Sequence, residues 1–250
     1  VSDRSFCYGD PDAAFAAAPH RVALTVNFPR NSCTPIETAV VIAEFVSEQE
    51  GYDMQSNFMG PFSLHTVMAM ALKVPGNRLR HRTFADSGGS FGVKQAVMAP
   101  AVLMCLAARK AGAPVKWVED RIENLSTTAF ARDYHMMTEI AATGDGRVTG
   151  LRVYTVADHG AFDACADPSK WPAGFFNIVT GSYDFPTAHL TVDCGYTNKA
   201  PGGVAYRCSF RVTEASYFIE RMIDVLARKL NMDPAEVRRR NFMRKGQLPY

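Results

Sequence analysis

Residues 188–230 read AHLTVDCGYTNKAPGGVAYRCSFRVTEASYFIERMIDVLARKL. Residues 188–194 carry the pattern of a strand, and the Gly- and Pro-containing middle reads as a loop. From about 214 to 230, Ala215, Ile219, Met222, Leu226 and Leu230 recur at three- and four-residue spacing, which predicts an amphipathic helix with one buried face. Between strand and helix stands Cys208, a lone thiol beside Arg207 with a second cation at Arg211. No other cysteine lies within ten residues, so neither a local zinc motif nor a tight disulfide accounts for it.

Downstream, Asp233-Pro234-Ala235-Glu236 predicts another helix, with Asp as N-cap, Pro at the first helical position and Glu reaching back. Upstream, Val22, Leu24, Val26 and Phe28 alternate with Ala23, Thr25 and Asn27, a strand signal. Gly60-Pro61 opens a helix to about Lys73, closed by VPGN at 74–77, and a strand near 78–84 leads into DSGGSFGVK at 86–94. The run 96–108 is apolar on all sides and predicts a buried helix. PVKWVED at 114–120 reads as a short strand, and GDG at 144–146 as the turn of a hairpin between 136–143 and 147–157. Residues 158–187, rich in Pro, Gly, Asp and aromatics, read as a long loop. Helices and strands mix without a strict βαβ rhythm, so the expected class is α+β, with mixed sheets and packed helices. A subdivision is expected near 1–130 and 131–250.

The 250 residues are 47% hydrophobic and 21% charged, the composition of a soluble globular protein with ample material for a core. The net charge of +2 comes from basic residues spread along the chain; no basic stripe or known module points to nucleic acid. No stretch reads as a signal peptide. The apolar run at 96–108 contains Pro100 and falls short of the roughly 20 residues a membrane span needs. Six scattered cysteines suit a reducing, cytoplasmic setting, and their spacing argues against an iron–sulfur cluster held by this chain alone. A chain that starts at Val1 and ends at Pro249-Tyr250 is expected to be a fragment of a longer protein.

Three loops could carry chemistry. The glycines of GGSFGVK (88–94) let backbone N–H groups approach an anionic ligand, although the spacing fits neither a Walker loop nor a dinucleotide fingerprint. Gln55, in MQSN at 54–57, offers a neutral amide that both donates and accepts. A Cys208 thiolate is favoured by nearby cations and is a ligand for soft ions such as Cu(I); read alone, a lone cysteine is more often a buried structural thiol or a free surface one. His135, His159 and His189 could in principle serve a cysteine hydrolase as base, but no nucleophile signature accompanies them. Asp158, Asp163 and Asp167 sit in Gly/Pro-rich context and read as turn formers.

In this order the three loops resemble those of the molybdenum-binding large subunits of the xanthine oxidase family. PVKWVEDRIENLSTTAFARDYHM (114–136), ADHGAFDACADPSKWPAGF (157–175) and TNKAPGGVAYRCSFRVTEA (197–215) resemble the aerobic, form I carbon monoxide dehydrogenases within it, AYRCSFR being the specific part. The resemblance implies the molybdopterin-binding domain fold of aldehyde oxidases and xanthine dehydrogenases, and oxidation of CO with water to CO2. It implies molybdenum on molybdopterin cytosine dinucleotide, bridged through sulfide to Cu(I). Carried over, Cys208 is the copper ligand, and Gln55 hydrogen-bonds a molybdenum oxo ligand. Gly88, Gly89, Phe91 and Gly92 pack against metal and pterin, while Arg207 and Phe210 shape the pocket. FAD and [2Fe-2S] clusters are expected on separate partners, a medium and a small subunit, in a dimer of heterotrimers. The location expected is the cytoplasm, with the inner face of the membrane as a peripheral site. A copper-free molybdenum hydroxylase for an aldehyde or N-heterocycle is the alternative. The family's active-site glutamate lies far toward the C-terminus of the full subunit, so neither Glu37 nor Glu214 is assigned that role. Ser90 stands where the family usually carries a third glycine.

Overall fold

Two sequence periods build two layered units. The computed structural model describes residues 2–95, 98–162, 175–204, 206–207 and 212–248, with backbone only at Ser63 and Leu64. In chain order the first half holds β1 (Ser2–Tyr8), α1 (Pro11–Ala17), β2 (His20–Phe28), β3 (Asn31–Ser32), β4 (Val40–Val46), β5 (Gly51–Ser56), α2 (Pro61–Leu72), β6 (Leu79–Thr83), α3 (Met98–Ala111) and β7 (Val115–Val118). The second half holds α4 (Arg121–Thr127), β8 (Phe130–Ala131), β9 (Tyr134–Ala142), β10 (Val148–Asp158), β11 (Ala188–Gly195), α5 (Val212–Leu230) and α6 (Pro234–Asn241). The architecture is α+β.

The larger sheet runs β1-β11-β10-β9-β2 and is antiparallel except where β10 meets β11. Alternation sets its faces: Val22 and Val26 of β2 turn inward while Ala23, Thr25 and Asn27 face out. The amphipathic α5 lies across the inner face. Its Phe218, Met222, Ile223 and Leu226 are fully buried against Met136, Ile140, Leu151 and Leu190. Each such side chain contributes about 1.5–3 kcal/mol by leaving water. Asn241, at the end of α6, accepts from Val148 N and donates to Gly146 O, both at 2.8 Å, which ties that helix to the GDG hairpin. The layers do not follow chain order, because β1 and β2 pair with strands that come after residue 133.

The smaller sheet runs β6-β5-β4-β7. β5 and β6 are parallel, with α2 as their crossover, and β3 pairs with β8 in a separate ribbon. Met68 and Leu72 of α2 and Ala101, Cys105 and Ala108 of α3 cover one face of the sheet, over Met54 and Val41.

Three local expectations change. The run forming α3 is not buried on all sides: Leu103 is 59% and Leu106 43% exposed. A helix laid on a single sheet buries only the stripe that touches it, and nothing packs outside α3 among the described residues. Gln55 lies inside β5 rather than in a loop after it. Glu236 does not reach back to its N-cap. Asp233 caps α6 through Ala235 N, and Glu236 pairs with Arg239 and Arg240, whose charged donors are one turn away.

Candidate active-site loops

β5 and β6 are parallel, so the loops that follow them emerge at the same end of the sheet, where open α/β sheets place their ligands. The Gly-rich loop follows β6. Gly89 and Gly92 hold φ +93° and +107°, backbone that L side chains rarely adopt. One carboxylate fastens both ends of the loop: Glu37 accepts from Gly88 N at 2.9 Å and from the buried Lys94 ammonium. A Cβ on Gly88 would come within 2.5 Å of Glu37 Cβ, so only glycine lets them meet. Burial works against ionisation of Glu37, but hydrogen bonds from Lys94, Gly88 and Asn57 outweigh it and hold the carboxyl below its usual range. Inside the loop, Ser90 Oγ accepts from Gly92 N and Lys94 N, each at 3.2 Å. A hydroxyl at this position therefore closes the turn that the loop needs.

The second loop follows β11. Phe130 N donates to Pro201 O at 2.8 Å, and Val204 N to Phe130 O at 3.3 Å, so β8 guides the chain toward Tyr206 and Arg207. Val204 and Tyr206 join Cys33, Val93, Ala129 and Ala131 in a small apolar cluster beneath both loops. Arg207 N donates to Phe91 O at 3.2 Å, and its guanidinium stands 4.8 Å from the Phe91 ring centroid. Phe91 and Arg207 are both left-handed, at φ +50° and +44°. The fold thus brings together Gly88, Gly89, Phe91, Gly92 and Arg207.

Gln55 is not joined to that group. With Asp53 it faces away from the helices and lines a pocket of about 70 Å³ with Ile42, Glu44, Arg82 and Pro114. Cys208, Phe210 and Arg211 lie outside the described residues, as do Asp163, Asp167 and Cys165. Of the described cysteines, Cys7 is exposed and Cys33, Cys105 and Cys194 are buried. His135 contacts Asn27 Oδ1, and His189 lies 3.0 Å from Ser5 Oγ, both on the large sheet. Asp158 is held by the Gly160 N–H, Thr197 and Lys199, the behaviour of a turn-forming acid. Among the described residues no group of three His, Cys, Asp or Glu converges as metal ligands, and no helix is long and apolar enough to cross a membrane.

Sequence reasoning passed over Arg132. Its guanidinium pairs with Glu214, and both side chains are almost wholly buried, at 2% and 0% exposure. It also donates to Tyr206 O at 2.7 Å. Burial pushes the Glu214 carboxyl up, and Arg132 pulls it back. Burial likewise raises the Cys33 thiol to about 12 despite the opposing charge of Arg132. Nothing local marks a pair 82 residues apart.

Residues 2–242 match the sequence profile of the molybdopterin cofactor-binding domain. The chain is 55% identical over 239 residues to the carbon monoxide dehydrogenase large chain of Hydrogenophaga pseudoflava, covering 96% of this chain and 30% of that one. The large chain from Afipia carboxidovorans is 51% identical over 239 residues, with 96% and 29% covered. This chain therefore spans about a third of the length of these relatives. The solved CO dehydrogenase of Oligotropha carboxidovorans superposes with a TM-score of 0.86 at 48% identity, over 98% of this chain and 31% of that one. Quinoline 2-oxidoreductase from Pseudomonas putida 86 superposes at 0.91 with 28% identity, over 100% and 32%. With its two sheets, its paired loops and a profile match over nearly its whole length, the chain belongs to the molybdopterin cofactor-binding domain family.

Proposed function

We propose that the chain is part of the large subunit of an aerobic carbon monoxide dehydrogenase, which converts CO and water to CO2, two protons and two electrons. The observation that carries this reading is the junction of Phe91 with Arg207. It sets the Gly-rich loop against the chain immediately before Cys208, within a sequence 55% identical to a CO dehydrogenase large chain.

The described loop residues suit a molybdopterin cofactor, while the proposed soft-metal ligand, Cys208, lies outside the described residues. Gly88 is exposed and Phe91 is 40% exposed, so the loop presents backbone and one aromatic ring outward. Arg207 is an exposed cation next to the proposed thiolate. When bound, a Mo–S–Cu centre on molybdopterin cytosine dinucleotide supplies a soft cation for the weak base CO and takes up its two electrons. The protein's part is placement. Cys208 would hold copper, Gly88, Gly89, Phe91 and Gly92 would pack against the cofactor, and Arg207 and Phe210 would shape the pocket. The role proposed for the Gln55 amide is a hydrogen bond to a molybdenum oxo ligand, but it stands near the end of β5 in a separate small pocket, apart from these loops. Electrons leave to an iron–sulfur small subunit and an FAD-binding medium subunit, in a dimer of heterotrimers in the cytoplasm.

The test is Cys208→Ser in the assembled enzyme. The expected variant keeps its fold and molybdenum but loses copper and CO oxidation. Parental CO oxidation in that variant sinks the reading, and wild-type enzyme with molybdenum, no copper and activity on an N-heterocycle or aldehyde supports the copper-free hydroxylase.

A further inference from the structure

β7 is antiparallel to β4 and β4 to β5, so β5, β6 and β7 all run in one direction. α2 joins β5 to β6, and α3 joins β6 to β7. Both helices therefore run back against the strands and end at the same side of the small sheet, packed beside one another. Met68, Ala69 and Leu72 of α2 and Ala101, Cys105 and Ala108 of α3 face the sheet. The side turned from the sheet presents Val67, Met70, Leu103 and Leu106, with Met70 65% and Leu103 59% exposed. Neither 61–72 nor 98–108 contains a single Asp, Glu, Lys or Arg.

A helix that meets water along one side carries charged residues there, and one that is apolar all round is covered all round. Contiguous exposed apolar surface marks an interface, and one free of charge resembles a domain core cut in half, the mark of a permanent contact. The face is bounded at one end by cations: Lys73 caps α2, and Arg109 and Lys110 close α3. Arg109 lies over the Phe45 ring at 4.9 Å, and none of the three pairs with a carboxylate among the described residues. This chain spans about a third of the length of its relatives, so most of a subunit of their kind lies outside 1–250. A segment of the same polypeptide is tethered and so is present at high effective concentration whenever this face forms. We infer that the outer face of α2 and α3 carries a third layer. Its occupant is an amphipathic helix from the part of the same large subunit outside 1–250. That helix is apolar toward Met70 and Leu103 and has carboxylates at the end that meets Lys73, Arg109 and Lys110. The inference goes beyond the proposed function and rests on it only for the chain being part of a large subunit.

The experiment uses the full complex. In Leu103→Cys the new thiol is labelled with a maleimide, and its rate in the native enzyme is compared with that after denaturation by peptide mass spectrometry. A covered face slows labelling about tenfold or more, whereas an open one reacts near the denatured rate. A benzophenone amino acid at position 70 then captures whatever lies over the face. The expected product has the mass of a single large subunit and joins position 70 to a segment outside 1–250. That segment should carry Asp or Glu that a zero-length carbodiimide ties to Lys73 or Lys110, and a segment without them overturns the charged contact. Labelling near the denatured rate overturns the inference. Protection with a cross-link to another subunit or to a second large chain, or with no cross-link within the chain, overturns the occupant named. Should Leu103→Cys not assemble, Met70→Cys supplies the labelling rate, and a benzophenone amino acid at position 106 supplies the cross-link. A covered, cross-linked face in an enzyme that does not oxidise CO overturns the proposed function alone, and an open face in one that does overturns this inference alone.

Discussion

Arg207 and Phe91 meet twice, once through a backbone hydrogen bond of 3.2 Å and once with the guanidinium 4.8 Å from the ring centroid. Two loops more than a hundred residues apart in sequence are thereby held together by their own left-handed residues. At an exposed site a cation over an aromatic ring is worth only about 0.5–1 kcal/mol, so this junction orients more than it stabilises. Arg207→Lys keeps the charge and loses the planar stack. The expected result is a Tm within about 2–4 °C of the parent and a fall of about tenfold in kcat for CO, read by calorimetry and steady-state assay. Unchanged kcat would detach the junction from catalysis.

Glu37 makes loop stability depend on pH. Its carboxyl is lowered in the folded protein from the ordinary value of 4.5, net of a burial effect that opposes the shift. A lowered carboxyl stabilises the fold above its unfolded value, and the benefit disappears as pH falls through the folded value. The Tm gap between the parent and Glu37→Gln should therefore be full at pH 6–7, begin to close below about pH 4.5, and shrink further in stronger acid. A gap that widens on acidification contradicts the ion pair with Lys94.

Gly160 and Gly112 separate two costs. Both are left-handed, at φ +69° and +62°. A Cβ on Gly160 would stand 2.0 Å from Ala200 O, while one on Gly112 meets nothing within 4 Å. Gly112→Ala should cost about 1–2 kcal/mol from backbone conformation alone. Gly160→Ala should cost about 3 kcal/mol or more, because the contact between 159–161 and 199–202 must open. Denaturant unfolding of the two variants gives the comparison, and equal costs would show that the clash relaxes.

The thiols offer a chemical check. Burial raises Cys33 and Cys105 to about 12, with Arg132 opposing the rise at Cys33. Since the thiolate is the reactive form, iodoacetamide at pH 8 should leave both unmodified in the folded enzyme and modify both after denaturation, as read by peptide mass spectrometry. Modification of Cys33 in the native enzyme at the denatured rate would mean that the cluster under the loops is open.

Much of the fold was legible because its signals are local. Ala215, Ile219, Met222 and Leu226 announce α5 by spacing, and GDG announces the β9–β10 turn. The buried Met54 and outward Gln55 also follow from alternation along β5, a signal hidden when MQSN is read as a loop. The exposure of Leu103 was not legible, since a helix's outer face depends on how many layers surround it. The resemblance located Phe91 and Arg207, but their contact depends on the path of β8 between them. Arg132 and Glu214 carry no motif at all. Each is an ordinary charged residue until the chain folds them together.

The pairing of β1 with β11 and of β2 with β9 also sets a timetable for synthesis. As the chain leaves the ribosome, β2 waits until 134–142 have emerged, and β1 until 188–195. The four strands and two helices within 40–118 can assemble meanwhile, because every partner in that sheet is already present. Nascent protein therefore passes through a stage with one finished layer and two uncovered strands. Those strands have exposed edges that can pair with other chains, so this is the stage most dependent on chaperones. The Arg132–Glu214 pair closes only after residue 214 has emerged, so this buried contact is among the later ones to form.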